Sequence, residues 1–154
     1  MGYAMVVVGT DGSDAALAAV NRAAALAAAD SALLVVVCVA DPESAPAAVA
    51  SAEYGEPRSD QQVPDLGTAA VALLTATEHA ERAGAPGVST VLVEGDPAQG
   101  LLGVARGRGA DCIVVGSRGI NSLSGRLLGS VPADAAYRSP CDVLIVHATG
   151  DGER

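Results

Sequence analysis

The stretch that decides the fold reads MVVVGTDGSD and runs from Met5 to Asp14. Its first four residues are apolar and mostly β-branched, which predicts a short buried strand. Two glycines and an aspartate then mark a turn. The alanine-rich segment that follows, Asp14 to Ala29, predicts a helix. A buried strand that turns directly into a helix is how an α/β fold begins.

The same alternation continues to the end of the chain. Four more apolar runs predict strands and three more segments predict helices; the strands are Leu33 to Val39, Ser89 to Val93, Cys112 to Val115 and Val143 to Val146, and the helices are Asp65 to Ala83, Pro97 to Arg106 and Ser130 to Arg138. The strands are apolar at successive positions instead of alternate ones. This predicts that both faces of each strand are covered, as in a parallel sheet.

Local signals agree with the predicted helix limits. Asp96 followed by Pro97 is typical of an N-cap and a first helical residue, and Gly84 predicts where the second helix ends. Helical spacing in that second helix predicts one buried apolar stripe, made of Leu66, Ala70, Leu73, Leu74, Thr77 and Ala80.

One connection is unusual in length and composition. The segment 41–64 contains four prolines and several acidic residues, and its length predicts a functional flap. The last residues, 150–154, are rich in glycine and charge and predict a flexible tail. We therefore expect one domain over residues 1–149.

Two loops follow strands and carry the residues best suited to bind a ligand. Gly9-Thr10-Asp11 follows the first strand, and Gly116-Ser117-Arg118-Gly119 follows the fourth. In an open parallel sheet, ligands bind beyond the carboxyl ends of the strands, where the strand order reverses. The second loop continues to Gly129-Ser130, where a helix N-terminus would favour an anion such as phosphate. The alternative is that the glycines only form turns and Asp11 only caps the first helix.

The spacing Gly116-x2-Gly119-x9-Gly129-Ser130 resembles the signature of the nucleotide-binding branch of the universal stress protein family. Val6 to Ser13 looks like the opening strand and acidic loop of that family. The resemblance covers nearly the whole chain. It implies an α/β fold of the adenine nucleotide alpha hydrolase type, with a single open five-stranded parallel sheet in the order 3-2-1-4-5 and helices on both faces.

The resemblance also implies a nucleotide site at the two loops. Asp11, preceded by Gly9 and Thr10, would face the ribose or the adenine, and backbone near Val39 and Ala40 would read the adenine edge. Phosphate contacts are implied for Gly119, Gly129, Ser130 and Val131, with Gly116 and Ser117 lining the loop. Arg118, between two glycines, is expected to neutralise phosphate charge.

The ligand that the resemblance favours is ATP, which magnesium could accompany, and cyclic AMP is the alternative. A non-nucleotide interaction or dimerisation module, with a degenerate glycine loop, is the further alternative. In either nucleotide case the expected role is that of a stress-related or regulatory binding module.

Composition excludes several other classes of function. The net charge of −9 opposes binding to nucleic acid or to anionic membrane surfaces. All nine basic residues are arginine, so a Walker A loop and a Schiff base, which both need lysine, are excluded. The three cysteines are widely spaced among apolar residues, which favours core thiols over a metal site. With neither a leader segment nor an apolar run of about 18 residues, we expect a soluble, cytoplasmic protein.

Dedicated catalytic machinery is not expected. The two histidines lie far from the loops in sequence, and the fourth-strand loop is not a Gly-x-Ser-x-Gly elbow. Only Asp11 could orient water or magnesium, so at most slow ATP hydrolysis is expected. A flavin module would need aromatic residues that these loops lack, and a phosphoacceptor receiver would need a lysine.

The last strand predicts self-association. Val143 to Val146 is apolar throughout and contains no proline or lysine. If it is the outer edge of the sheet, such an edge invites pairing with another chain. Two-fold antiparallel pairing satisfies both edges, so we expect a homodimer joined along this strand.

Overall fold

The fold was analysed in a computed structural model that describes residues 2–43, 63–117 and 130–147. Strands and helices alternate through these residues. The strands are β1 (Met5–Gly9), β2 (Leu33–Ala40), β3 (Gly87–Glu94), β4 (Cys112–Gly116) and β5 (Asp142–Val146). The helices are α1 (Asp14–Asp30), α2 (Leu66–Arg82), α3 (Pro97–Arg108) and α4 (Ser130–Arg138).

The five strands form one parallel sheet in the order β3-β2-β1-β4-β5, which confirms the predicted architecture. β1 lies at the centre, and the chain builds outward from it to β3 before it returns to β4. The strand order therefore reverses between β1 and β4. In sheets of this kind the crevice at that point is where ligands bind.

Two helices cover each face of the sheet. On one face, α1 and α2 pack against β1 and β2 residues such as Val6, Val8, Leu34 and Val36. On the other face, α3 packs against Val7, Val35, Val37 and Ile113, and Val131 of α4 packs against the same cluster. Alanine supplies most of the buried surface of α1. Small side chains let the helix lie close to the sheet, which compensates for the lack of large aromatic residues.

Helix capping follows the local sequence signals. Asp96 is the N-cap of α3 and accepts a hydrogen bond from the backbone N–H of Gln99 at 2.9 Å, with Pro97 in the first turn. The side chain of Ser13 caps α1 in the same way through Ala16 at 3.1 Å. Gly84 has a φ of +99° just after α2 ends. The predicted beginning of α3 and end of α2 are thus confirmed.

Two expectations about burial are wrong. The buried stripe of α2 consists of Ala69, Ala72, Leu73, Ala76 and Ala80, whereas Leu66, Ala70 and Leu74 are exposed. The helix approaches the sheet so closely that its alanines fill the contact and the larger residues are left at the side. β3 is also not covered on both faces, because it is an edge strand whose Ser89 and Thr90 are exposed.

Part of the sequence prediction lies outside the described residues. This applies to most of the segment 41–64 and to the tail 150–154. The backbone at the base of that segment is closed, because the N–H of Asp41 donates to the carbonyl of Pro64 at 2.8 Å.

Candidate functional site

A cleft with an empty volume of about 620 Å³ opens at the carboxyl edge of the sheet. That volume includes space that is open to solvent. The described residues that line it are Gly9, Thr10, Asp11, Ser13, Ala15, Ala16, Val37, Val39, Pro64, Pro97, Leu101, Val115, Gly116, Val131 and Pro132. They come from the ends of β1, β2 and β4 and from the first turns of α1, α3 and α4.

The topology explains why these elements meet. The cleft straddles the gap between β1 and β4, where the strand order reverses. The helices that follow β1 and β3 and the helix that precedes β5 all begin at this edge. The free backbone N–H groups of a helix N-terminus carry partial positive charge, so this edge attracts an anionic ligand.

The loop after β1 is held by short-range hydrogen bonds. The N–H of Thr10 donates to the carbonyl of Val37 at 2.8 Å, which keeps the loop against β2. The Thr10 hydroxyl oxygen accepts from the N–H of Gly12 at 3.1 Å, and Oδ1 of Asp11 accepts from the N–H of Ser13 at 2.9 Å. Gly12 has a φ of +88°, which a residue with a side chain rarely adopts.

The structure shows the turn role of Asp11, and its role toward a ligand stays a prediction. Its carboxylate stabilises the turn, while Ser13 and not Asp11 is the N-cap of α1. Asp11 also lines the cleft. The turn hydrogen bond holds the Asp11 carboxylate against the backbone of the turn.

Two glycines of the cleft allow close packing of its walls. A Cβ placed on Gly116 would lie 3.3 Å from the carbonyl oxygen of Ala15, which is backbone and cannot move independently of α1. A Cβ on Gly9 would lie 3.3 Å from Cδ2 of Leu101, a side-chain atom that can adjust. A side chain at Gly116 would therefore press on the backbone of α1, whereas one at Gly9 would press on a side chain that can adjust.

The walls are apolar and almost uncharged. Aliphatic side chains of Val37, Val39, Leu101 and Val115 form the interior, and Asp11 is the one charged side chain among the described lining residues. Behind the cleft, burial raises the pKa of the Cys38 thiol to about 12, with a smaller contribution from the Asp11 carboxylate. Cys38 therefore remains a neutral thiol and adds no charge to the site.

The structure brings together several of the residues predicted for the site. Gly9, Thr10, Asp11, Val39, Gly116 and Val131 all line the cleft. Ala40 and Ser117 do not. The carbonyl of Ala40 accepts from the N–H of Gly95 at 3.1 Å, and the N–H of Ser117 donates to the carbonyl of Val146 at 2.8 Å. Those backbone groups are used within the sheet.

The remaining predicted residues belong to the glycine-rich loop. Arg118, Gly119 and Gly129 lie outside the described residues. Ser130 is the first residue of α4, so the backbone of this helix begins where the sequence predicts it.

Sequence reasoning missed the contribution of two helix N-termini. Ala15 and Ala16 of α1 and Pro97 and Leu101 of α3 line the cleft, as does Pro64. The Asp96-Pro97 capping signal was visible, but only the strand order places the start of α3 beside β1 and β2. Within the described part of the chain, no group of three or more His, Cys, Asp or Glu side chains is placed to hold a metal ion, and no helix has the length and apolarity to cross a membrane.

Comparison with known proteins gives consistent matches. The model of the universal stress protein family matches residues 2–147. A universal stress protein of Mycobacterium tuberculosis is 41% identical over 149 residues, which cover 96% of this chain and 98% of the relative. A crystal structure of that organism's protein superposes with a TM-score of 0.61 at 38% identity, over 97% of this chain and 98% of the other. A universal stress protein crystallised in complex with cAMP superposes with a TM-score of 0.73 at 38% identity, over 97% of this chain and all of the other.

Proposed function

The chain belongs to the universal stress protein family, and from this premise we propose that its cleft binds an adenine nucleotide and that the protein is a regulatory nucleotide-binding module. The observation that carries the proposal is the cleft itself, which joins the Gly9-Thr10-Asp11 loop to Gly116 at the reversal point of the sheet. The structural relative that was crystallised with cAMP supports the same class of ligand.

The chemistry of the lining suits each part of a nucleotide. Aliphatic side chains such as Val37, Val39 and Leu101 offer an apolar slot for the base. The Asp11 carboxylate is a hydrogen-bond acceptor for ribose hydroxyls, and the N-termini of α1, α3 and α4 favour phosphate. The glycine-rich loop from Gly116 to Ser130 is proposed to complete the phosphate side, with Arg118 as a counter-charge.

Between the two nucleotides considered, we favour cyclic AMP over the ATP that the sequence resemblance favours. The phosphate side is proposed to carry one counter-charge, Arg118, which balances the single negative charge of a cyclic phosphodiester better than the charges of a triphosphate. The relative with 38% identity that was crystallised with cAMP points in the same direction.

Magnesium fits this site only as a companion of ATP. Asp11 is the single carboxylate of the described lining, and Mg²⁺ is usually held by one or two carboxylates together with substrate phosphates. When bound, the ion would neutralise phosphate charge. The proposed role of Asp11 in that case is to hold the ion or its water. Any ATP hydrolysis is expected to be slow.

Titration calorimetry with cyclic AMP, AMP and ATP, the last with and without Mg²⁺, tests the proposal. We expect cyclic AMP to bind most tightly, and Asp11→Asn to weaken it by about tenfold through loss of a charge-assisted hydrogen bond. The matched control is Asp14→Asn, which removes a carboxylate from the first turn of α1 outside the cleft lining. If no nucleotide binds at millimolar concentration, the interaction-module alternative is favoured. If ATP binds more tightly than cyclic AMP, the charge argument is wrong.

We also propose that the protein is a homodimer joined along β5. The strand lies at the end of the sheet, and its four apolar residues, 143–146, are only partly buried. Light scattering on size-separated protein should give the mass of a dimer at micromolar concentration; the mass of a monomer would contradict the proposal. The lack of a nucleic-acid or membrane partner is proposed from the charge of −9, which opposes binding to such anionic surfaces. A location in the cytoplasm is also proposed.

A further inference from the structure

A second surface carries apolar side chains that the nucleotide cleft does not use. Six large hydrophobic side chains are exposed in the described residues, and four of them belong to α2 and β3: Leu66, Val71, Leu74 and Leu92, with exposures of 39, 60, 66 and 42%. Isolated exposed apolar residues are ordinary, but a contiguous group marks a binding surface. With the exposed Ala70, we call these residues the α2–β3 shoulder.

The members of the shoulder lie on one side of the molecule. On α2, Leu66, Ala70 and Leu74 follow one another at intervals of four residues, and Val71 lies three residues before Leu74, so neighbouring members meet on the helix surface. On β3, Leu92 is the register partner of Cys38, which packs in the core beneath α1 and α2. Register partners on adjacent strands point to the same face, so Leu92 lies on the α2 face of the sheet.

The shoulder runs beside a free strand edge. β3 is the end of the sheet opposite β5 and contains no proline or lysine. The N–H of Gly95 donates to the carbonyl of Ala40 at 3.1 Å, so the backbone groups of residue 95 face β2. Along a strand, the backbone N–H and C=O groups of successive residues point alternately to one side and the other, so residues 93 and 91 also face β2. The N–H and C=O groups of Thr90, Leu92 and Glu94 therefore point away from the sheet and are placed to pair with an added strand.

The charges around the shoulder decide what kind of partner it fits. An acidic rim is formed by Asp65 and Glu78, which lie before and after the exposed apolar residues of α2, by Glu81 one turn further, and by Glu94, two residues after Leu92 on β3. Arg82 is the one arginine of α2, and it pairs with Glu78 at 4.0 Å. In a two-fold pair of copies along β3, the same acidic residues would face each other and repel.

We propose that the shoulder binds an extended segment of another protein, apolar at alternate positions and flanked by lysine or arginine, which adds to β3 as a sixth strand. Main-chain hydrogen bonds to Thr90, Leu92 and Glu94 supply affinity. The apolar side chains of the segment lie against Leu74 and Leu92, and its basic flanks face the acidic rim. The proposal is independent of which nucleotide the cleft binds.

The test uses the isotope-labelled full chain and a synthetic peptide in which valine and threonine alternate between pairs of flanking lysines. Titration followed by NMR should shift the amide signals of Thr90, Leu92 and Glu94 and the methyl signals of Leu74. Leu74→Asn should weaken binding by about tenfold. The matched control is Leu33→Asn, since Leu33 is a leucine of similar exposure at the start of β2 and on the opposite face; it should leave binding unchanged.

Four outcomes would overturn the proposal. The first is no shift with the lysine peptide at about 1 mM. The second is equal binding of a peptide in which glutamate replaces lysine, because charge would then play no part. The third is a smaller native mass of the Leu74→Asn variant, which would show that a second copy occupies the shoulder. The fourth is a nuclear Overhauser effect between Leu74 and residues 44–62 without peptide, which would show that the chain itself covers the surface.

Discussion

At the residue scale, the candidate site depends on a few positions whose chemistry was readable from the sequence. Gly9, Asp11 and Gly116 were predicted because they follow two strands at the carboxyl edge of the sheet and match the family's motif, although the residues alone left turn and capping roles open. The structure adds the reason for each position, such as the 3.3 Å that would separate a Cβ on Gly116 from the carbonyl of Ala15. The role predicted for Ala40 stays a prediction: its carbonyl accepts from the N–H of Gly95, and it is not among the described residues that line the cleft.

The three cysteines should differ in reactivity. Burial raises the pKa of Cys38 to about 12 and that of Cys112 to about 11, so both remain thiols at neutral pH and are inaccessible to reagents. Cys141 is only partly buried. We expect iodoacetamide to label Cys141 first in the native protein, as measured by peptide mass spectrometry. Equal labelling of all three in folded protein would contradict the described packing.

Asp111 should make stability depend on pH. Its carboxylate accepts backbone hydrogen bonds from Ala4 at 2.7 Å and Met5 at 3.0 Å, and these bonds hold its pKa below the usual range. A carboxyl whose pKa is lower in the folded state stabilises the fold above its unfolded pKa, about 4, and loses that effect as the pH falls through its folded value.

Thermal unfolding from pH 7 down to pH 3 measures this effect. Asp111→Asn should be less stable than the wild type at neutral pH, and the two melting temperatures should converge in acid. Asp134→Asn in α4 is the control for the loss of one negative charge. A constant difference between Asp111→Asn and the wild type at every pH would show that ionisation of Asp111 is not the cause.

At the element scale, the order and type of the strands and helices were predictable, and most limits moved by only one or two residues. Continuous apolar runs identify buried strands, and capping residues such as Asp96 and Gly84 identify helix limits. The buried face of α2 was not predictable from the pattern. Apolar residues occupy more of the surface of α2 than the sheet can cover. The part that is buried is the one where Ala69, Ala72 and Ala76 pack closely against the sheet, and the sequence pattern does not reveal this.

Two glycines of α3 should respond in opposite ways to alanine. A Cβ on Gly100 would lie 2.8 Å from Cγ2 of Val39 and 3.2 Å from Cγ1 of Val93, whereas a Cβ on Gly103 would meet nothing within 4 Å. We expect Gly100→Ala to cost about 1–3 kcal/mol of unfolding free energy through overpacking. Gly103→Ala should stabilise the helix by about 0.5–1 kcal/mol.

Urea unfolding and nucleotide titration of both variants give the comparison. Because α3 contributes Pro97 and Leu101 to the cleft, its displacement by Gly100→Ala should also weaken nucleotide binding, while Gly103→Ala should not. Equal stability of the two variants would show that α3 can move away from Val39 at little cost.

At the scale of the whole molecule, the sheet order determines which strands are edges. The predicted order 3-2-1-4-5 makes β5 and β3 the two edges of the sheet, and the structure confirms that order. Each edge has its own surroundings: β5 is apolar from Val143 to Val146, whereas β3 is flanked by an acidic rim. These differences favour a second copy at β5 and a basic segment at β3.

The backbone directions in β5 restrict how two copies can pair. The carbonyl of Val146 accepts from the N–H of Ser117 at 2.8 Å, so the backbone groups of Val146 and Leu144 face β4. Those of Val143 and Ile145 face outward and are available to a second copy. A proline at Ile145 would therefore remove an outward donor and spare the bonds to β4, so Ile145→Pro should weaken the dimer more than it disturbs the sheet.

We predict that the dimer is centred on Leu144. In a two-fold antiparallel pair, the residue numbers of any two opposed residues add up to the same sum. Opposed side chains lie on the same face of the sheet, whereas successive side chains of a strand alternate between faces. Opposed residues therefore differ by an even number, and the sum is even. A sum of 288 pairs the whole of Asp142–Val146 with its copy. In that arrangement Val143 of one copy lies opposite Ile145 of the other, and their outward backbone groups form hydrogen bonds. The Cα atoms of Leu144 in the two copies would then lie about 4.5 Å apart, close enough for a disulfide. Leu144→Cys should form a covalent dimer under mild oxidation on non-reducing gels, whereas Val143→Cys and the wild type should not, because the two copies of residue 143 would be more than 7 Å apart. Cross-linking of Ile145→Cys instead of Leu144→Cys would move the centre to residue 145, and cross-linking of neither would place the interface elsewhere.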